Sequence, residues 1–185
     1  MSLTPSNMFP LQTKAPSFSL LEPLTGKKQN LQDCSGARGT VVIFMCNHCP
    51  FVIHVLDGIV EMANDYLAQG IGFVAINSND VRSYPADAPD KMVSLVKSRG
   101  LPFPYLYDES QVVAKAYEAA CTPDFYLFDS GSLCVYRGQM DGARPGNNDP
   151  VTGRDLRAAM DALLSGSTIS AEQYPSIGCN IKWKR

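Results

Sequence analysis

The spacing of apolar residues changes period several times along the chain, and each change marks an element. Thr40-Val41-Val42-Ile43-Phe44-Met45 is continuously apolar and β-branched, which predicts a central strand covered on both faces. From Pro50 to Ala68 the apolar positions Val52, Val55, Leu56, Ile59, Met62, Ala63, Tyr66 and Leu67 recur at intervals of three and four, which predicts a long amphipathic helix stopped by Gly70. Ile71 to Asn77 reads as a second buried strand, Pro89 to Arg99 as a helix closed by Gly100, and Gln111 to Ala119 as a third helix. Phe125 to Phe128 and Leu133 to Arg137 form a hairpin around Asp129-Ser130-Gly131. A loop rich in Gly, Pro and Asn, from Gly138 to Pro150, leads to a last helix from Gly153 to Leu164. Ahead of all these, Ser17 to Leu21 and Gln29 to Leu31 are short strands flanking the Thr25-Gly26-Lys27 turn. Strand, helix, strand, helix and then a hairpin predict an α/β chain with a mixed sheet. Residues 1–185 are expected to form one domain, with 1–15 as an N-terminal extension and 166–185 as a tail.

Composition narrows the class. At 185 residues and 45% apolar content, the chain can bury a core without disulfide or metal staples. The net charge is −2 and the basic residues form no long run, so neither nucleic acid nor an anionic membrane is an expected partner. No stretch of 18 apolar residues exists, and Met1 to Gln12 lacks the basic start and apolar centre of a secretory signal, so a cytoplasmic location is expected. The six cysteines, at positions 34, 46, 49, 121, 134 and 179, are too sparse for a secreted disulfide scaffold, and most are expected to be reduced and buried.

The candidate chemistry sits where the first long strand meets the first long helix, at Cys46-Asn47-His48-Cys49-Pro50. Two cysteines three apart at a helix start face the same way, and the helix N-terminus favours a thiolate at Cys46. Cys46 is therefore expected to be the more exposed, attacking sulfur, and Cys49 the thiol that resolves the mixed disulfide one helical turn away. His48, if protonated, adds positive charge beside Cys46 and tunes the pair; the alternative is an exposed first-turn residue with no such effect. Zinc would need a second cysteine pair at ligand spacing, which is lacking, and haem attachment would need His where Pro50 stands, so neither metal nor organic cofactor is implied. Cys121, two residues before Pro123, and Cys179, in the tail, are either additional redox thiols or buried packing residues. Cys34 and Cys134 have no ionisable neighbour in sequence and read as structural, while His54 falls on the polar face of the long helix. The Gly138–Pro150 loop, with Asp141, Arg144 and Asn147, is either a substrate surface or a plain solvated connection.

With Cys-x-x-Cys at its first strand-to-helix junction, this order of elements resembles the thioredoxin fold. Ala15-Pro16-Ser17-Phe18-Ser19-Leu20, followed by Gly26 and Leu31, resembles the lead-in of the redoxin branch, which includes peroxiredoxins and thiol reductases. Thr122-Pro123-Asp124-Phe125 is similar to the segment where that fold places a cis proline beside the active disulfide. The resemblance thus implies that Pro123, with Thr122 and Asn47, lines the substrate groove. The Cys46–Pro50 motif, Ala75-Ile76-Asn77-Ser78-Asn79-Asp80 and the closing Pro175–Trp183 segment resemble an uncharacterised thioredoxin-like or peroxiredoxin-like group over nearly the whole chain. A protein disulfide or dithiol substrate and an electron donor of unknown identity are then the implied partners. Histidine in the third place of the motif resembles the oxidising members of the superfamily. Two departures count against a general thioredoxin role: Met45 replaces the Trp before the first cysteine, and Thr40 replaces the buried Asp. The rival readings are a thiol peroxidase, in which Cys49 would be the peroxidatic residue but Cys46 and Val42 replace the Thr or Ser and the Pro that precede it, and a redox sensor that binds a protein partner without turnover.

Overall fold

The computed structural model describes residues 3–185; residues 1–2 of the N-terminal extension lie outside them. In chain order the elements are β1 (Leu3–Pro5), β2 (Ser19–Glu22), β3 (Lys27–Asn30), α1 (Leu31–Cys34), β4 (Gly39–Phe44), α2 (Pro50–Leu67), β5 (Ile71–Asn77), α3 (Pro89–Arg99), β6 (Tyr105–Tyr107), α4 (Val112–Ala116), β7 (Cys121–Thr122), β8 (Asp124–Asp129), β9 (Cys134–Gly138), α5 (Arg154–Ser165) and β10 (Ile177–Asn180). A 3-10 turn, Pro85–Asp87, precedes α3. Seven strands form one mixed sheet in the order β3-β2-β6-β5-β4-β8-β9, and β1-β10-β7 form a small second sheet. β4, β5 and β6 are parallel, and the strands on either side of them run antiparallel. This is the thioredoxin-like arrangement expected from the sequence.

All six residues of β4 are buried, and alternate side chains enter two different cores. Val41 and Ile43 pack on the side of α2, with Val55, Leu56, Ile59 and Met62 of that helix. Val42 and Phe44 face the opposite side and an aromatic group formed by Phe9, Tyr117, Tyr126 and Phe128. Burial on both faces is why the run is unbroken in sequence instead of alternating. Among the described residues, no helix is long and apolar enough to cross a membrane.

Several boundaries differ from the sequence pattern for local reasons. Leu31 starts α1 instead of ending a strand, because Asn30 and Asp33 form a reciprocal capping box at that point. α4 is shorter than expected, since Gln111 before it and Glu118 after it both adopt positive φ, 63° and 53°. The strands β1, β6, β7 and β10 carry no readable period because each has only two to four residues. β10 changes the picture most: residues 166–185 do not simply trail from α5, because Ile177–Asn180 inserts between β1 and β7. Cys179 lies opposite Thr122, and a Cβ at the preceding Gly178 would stand 2.0 Å from the Thr122 carbonyl oxygen, so only glycine permits this approach.

Asp124, the first residue of β8, lies opposite Phe44 and is fully buried. Its Oδ2 accepts from Tyr126 Oη at 2.8 Å, while Oδ1 has no hydrogen-bond partner among the described residues. Burial pushes the carboxyl up from 3.8 to about 7. A carboxyl raised on folding contributes its full stability below the unfolded value near 3.8, and loses about 1.4 kcal/mol for each pH unit as pH rises from there to about 7. Asp124→Asn is therefore expected to flatten the fall in stability between about pH 5 and about pH 8. Urea unfolding at both pH values measures this, and equal slopes for variant and parent would contradict it.

Candidate active site

The junction forms because β4 runs out of sheet partners at Phe44 while Pro50 favours the first turn of a helix. Cys49 is the N-cap residue of α2, with extended backbone (φ −69°, ψ 121°), so its side chain sits at the end of the helix where the backbone N–H groups converge. None of the six cysteines forms a disulfide in this structure. Both members of the pair are enclosed, Cys46 1% and Cys49 0% exposed, so the expected difference in exposure is not seen. Thr122 touches both. Its Oγ1 is 3.6 Å from Cys46 Sγ, and its carbonyl oxygen accepts from Cys49 Sγ at 3.2 Å. The Thr122–Pro123 peptide is cis.

Asp87 is the site residue that the sequence reading missed. Its carboxylate is fully buried and meets four N–H groups. Oδ1 accepts from the backbone N–H of Asn47 at 2.8 Å and of His48 at 3.3 Å, while Oδ2 accepts from Asn79 Nδ2 at 2.8 Å and lies 2.7 Å from His48 Nδ1. An ionised carboxylate only accepts, so the proton between them belongs to Nδ1. Asn77 Nδ2 donates to the Asp87 carbonyl at 2.8 Å, which joins the end of β5 to the same network. The His48 ring also stacks on Tyr84, 5.4 Å between centroids, and its side chain is 26% exposed. Cys46 Sγ lies 4.0 Å from Nδ1. Asn47, expected at the substrate groove, is engaged at both ends of its amide: Nδ2 donates to Ala86 O at 3.0 Å, and Oδ1 accepts from Tyr105 Oη at 3.1 Å.

The two thiols share protons unequally. Cys46 is pushed up by its contact with Cys49, by burial and by the negative charge of Asp87, whereas Cys49 is lowered chiefly by its contact with Cys46, against burial that raises it. The first proton to leave the pair therefore leaves a thiolate on Cys49. Asp87 also offsets any positive charge on His48, an effect that the motif alone does not reveal. Cys46 Sγ, His48 Nδ1 and an Asp87 oxygen lie within 4.8 Å of one another, a donor set that suits a metal ion such as zinc. The hydrogen bonds that fill Asp87 account for the same arrangement without one.

The remaining candidates separate cleanly. Cys121 is fully buried, its thiol directed at the carbonyls of Pro123 (3.9 Å) and Ser176 (4.0 Å), and burial raises its pKa. Cys179, 2% exposed, lies opposite Thr122 and in the same buried cluster as Cys49. Cys34 and Cys134 lie in the core on the other side of the sheet, and His54 is exposed on α2. In the Gly138–Pro150 loop, Asp141 accepts from the backbone of Ala143, Thr152 and Gly153, and Arg144 is held by Asp141 O, Ala143 O and Gln139 Oε1. These contacts fix the loop against Phe51, Pro123, Phe125 and Met140.

The AhpC/TSA family profile matches residues 11–136. Among solved structures, an uncharacterised conserved protein from Geobacillus kaustophilus is 55% identical with a TM-score of 0.98, covering 100% of this chain and 97% of that one. A hypothetical protein from Sinorhizobium meliloti is 48% identical with a TM-score of 0.95, covering 98% of each chain. A provisionally named thioredoxin from Neisseria meningitidis is 26% identical with a TM-score of 0.63, covering 84% of this chain and 93% of that one. Comparison with the curated proteins found no match.

Asp87→Asn tests the electrostatic role of the carboxylate. Removing the charge is expected to lower the Cys46 pKa and move its reaction with alkylating agents to lower pH. The pH profile of Cys46 alkylation in a Cys49→Ser background reads it directly. An unchanged profile would mean that Asp87 holds the loop without acting on the thiol.

Proposed function

The chain belongs to the AhpC/TSA family, and from that premise we propose that it is a thiol–disulfide oxidoreductase acting through Cys46 and Cys49. Family and fold place it among thiol oxidoreductases and peroxidases. The observation that carries the finer reading is the arrangement around Thr122, whose hydroxyl meets Cys46 and whose carbonyl meets Cys49, so that both sulfurs bear on one residue at a helix N-terminus. Two thiols held this way form and break a disulfide with little movement of the chain.

The reaction follows from the proton arrangement. As a substrate disulfide docks beside Pro123, Cys46 passes its proton to the Cys49 thiolate and attacks one substrate sulfur; the other substrate sulfur leaves as a thiolate and is protonated by solvent. Cys49 then attacks Cys46 Sγ, its proton passing to the departing substrate sulfur. The substrate leaves as a dithiol, and the protein carries the Cys46–Cys49 disulfide, two electrons poorer. His48, held by Asp87 and partly exposed, stands at the mouth of the site as the tuning residue. A thiol reductant must return the electrons if the cycle runs in this direction. Peroxide reduction through Cys49 fits less well, because that sulfur is fully enclosed and bonded to Thr122 O.

Cys49→Ser is expected to accumulate covalent mixed disulfides between Cys46 and substrate proteins, because nothing then resolves them, and Cys46→Ser is expected to lose at least about a hundredfold in disulfide reduction. Non-reducing electrophoresis and a dithiol-coupled turnover assay measure the two effects. Peroxide consumption that survives Cys46→Ser would replace this reading with a peroxidase, and absence of trapped complexes with no turnover would replace it with a sensor.

A further inference from the structure

Cys179 has no part in the exchange just described, yet it is built into the same site. Three observations place it there. β10 pairs with β7 so that Cys179 lies opposite Thr122, the residue whose carbonyl accepts from Cys49 Sγ. Gly178 lets the strand approach closely, since a Cβ at that position would lie 2.0 Å from the Thr122 carbonyl oxygen. The side chain of Cys179, 2% exposed, belongs to the same buried cluster as Cys46, Cys49 and Val52, near enough to Cys49 for the two thiols to shift each other's titration. Cys49 is thus flanked by two thiols, Cys46 on the side of His48 and Cys179 on the side of β10.

We propose that Cys179 is an internal exchange partner of Cys49, so that the oxidised protein holds its disulfide either as Cys46–Cys49 or as Cys49–Cys179. The proposal rests on the oxidoreductase reading for the source of the first disulfide. The step consumes no oxidant. Cys179 attacks Cys49 Sγ, the Cys49–Cys179 bond forms, the Cys46–Cys49 bond breaks, and Cys46 leaves with the proton that Cys179 gives up. Two cysteines are oxidised before and after. Burial and the Cys49 contact push the Cys179 thiol up to about 12, and Cys46 is raised as well, so the proton passes between two thiols that both hold it tightly. The consequence is that the molecule stores its oxidising equivalents in a bond beside β10, regains Cys46 as a thiol beside His48, and ties the C-terminal strand covalently to α2.

The test is peptide mapping of the full-length Cys46→Ser protein, reduced and then treated with diamide, a thiol oxidant that leaves no group on the protein once the disulfide closes. Five cysteines remain in this variant. The expected result is loss of two of the five to alkylation, with the tryptic peptide 39–82 joined to peptide 158–182 and the mass unchanged on gel filtration. Retention of all five thiols, or oxidation at Cys49 only as an intermolecular disulfide, would overturn the proposal. In the parent protein, the 39–82 to 158–182 link is expected to appear after the internal 39–82 disulfide and at its expense. The two readings fail separately. Parent protein that closes Cys46–Cys49, beside a Cys46→Ser variant that closes nothing, removes Cys179 and leaves the oxidoreductase. The opposite pair of results removes the oxidoreductase and leaves the inner bond. Circular dichroism of the variant, matching the parent, excludes misfolding as the cause of either.

Discussion

A carboxylate sealed from water must find its hydrogen-bond donors in the protein, and Asp87 takes most of its donors from the redox loop itself. Hydrogen bonds to a charged group are each worth about 1.5–3 kcal/mol, more than neutral ones, and two of the four run to the backbone N–H groups of the residues between the cysteines. Where those groups sit decides where Cys46 and Cys49 sit. The same carboxylate fixes the His48 ring, and through Asn79 and the Asn77 bond to its own carbonyl it is anchored to the end of β5. The short polar segment after the second central strand therefore holds the loop that follows the first. Its charge also works against the tuning that His48 offers, because a cation paired with a nearby anion stabilises a third group less than a cation alone.

Thr122 is the second fixed point. One side of it meets both active sulfurs, and β10 lies against its backbone because Gly178 removes the obstructing Cβ. A chain segment near the C-terminus is in this way part of the wall of the site, and Cys179 comes with it. The helix N-terminus adds its converging N–H groups at Cys49.

Where one period ran long enough, the elements were legible in the sequence: β4 and β5 as unbroken apolar runs, α2 and α3 as three-and-four repeats with Pro at the start. The cysteine pair was equally plain, because its meaning depends only on a spacing of three at a strand-to-helix junction. Asp87 was not legible. In sequence it is one acidic residue in the Pro-rich stretch Tyr84-Pro85-Ala86-Asp87, indistinguishable from a solvated loop carboxylate, and its importance comes from burial created by contacts 8, 39 and 40 residues away. A polar run directly after a buried strand, Asn77-Ser78-Asn79, was the available signal, since buried amides need partners. β10 escaped for a different reason: four residues with two small ones carry no period, and its place depends on Gly178 fitting against a distant backbone. Likewise, Cys46, His48 and Asp87 come together only in the fold, so cysteine spacing does not reveal them as a donor set.

The central claim is that Cys46 and Cys49 form a reversible two-electron couple, and titration of the unmodified protein against glutathione buffers, with thiols tagged and counted by mass spectrometry, tests it most directly. One two-electron transition is expected, in which Cys49 leaves the taggable set together with one partner thiol, Cys46 first and Cys179 after internal exchange. Both cysteines remaining fully taggable up to oxidised glutathione alone would contradict it.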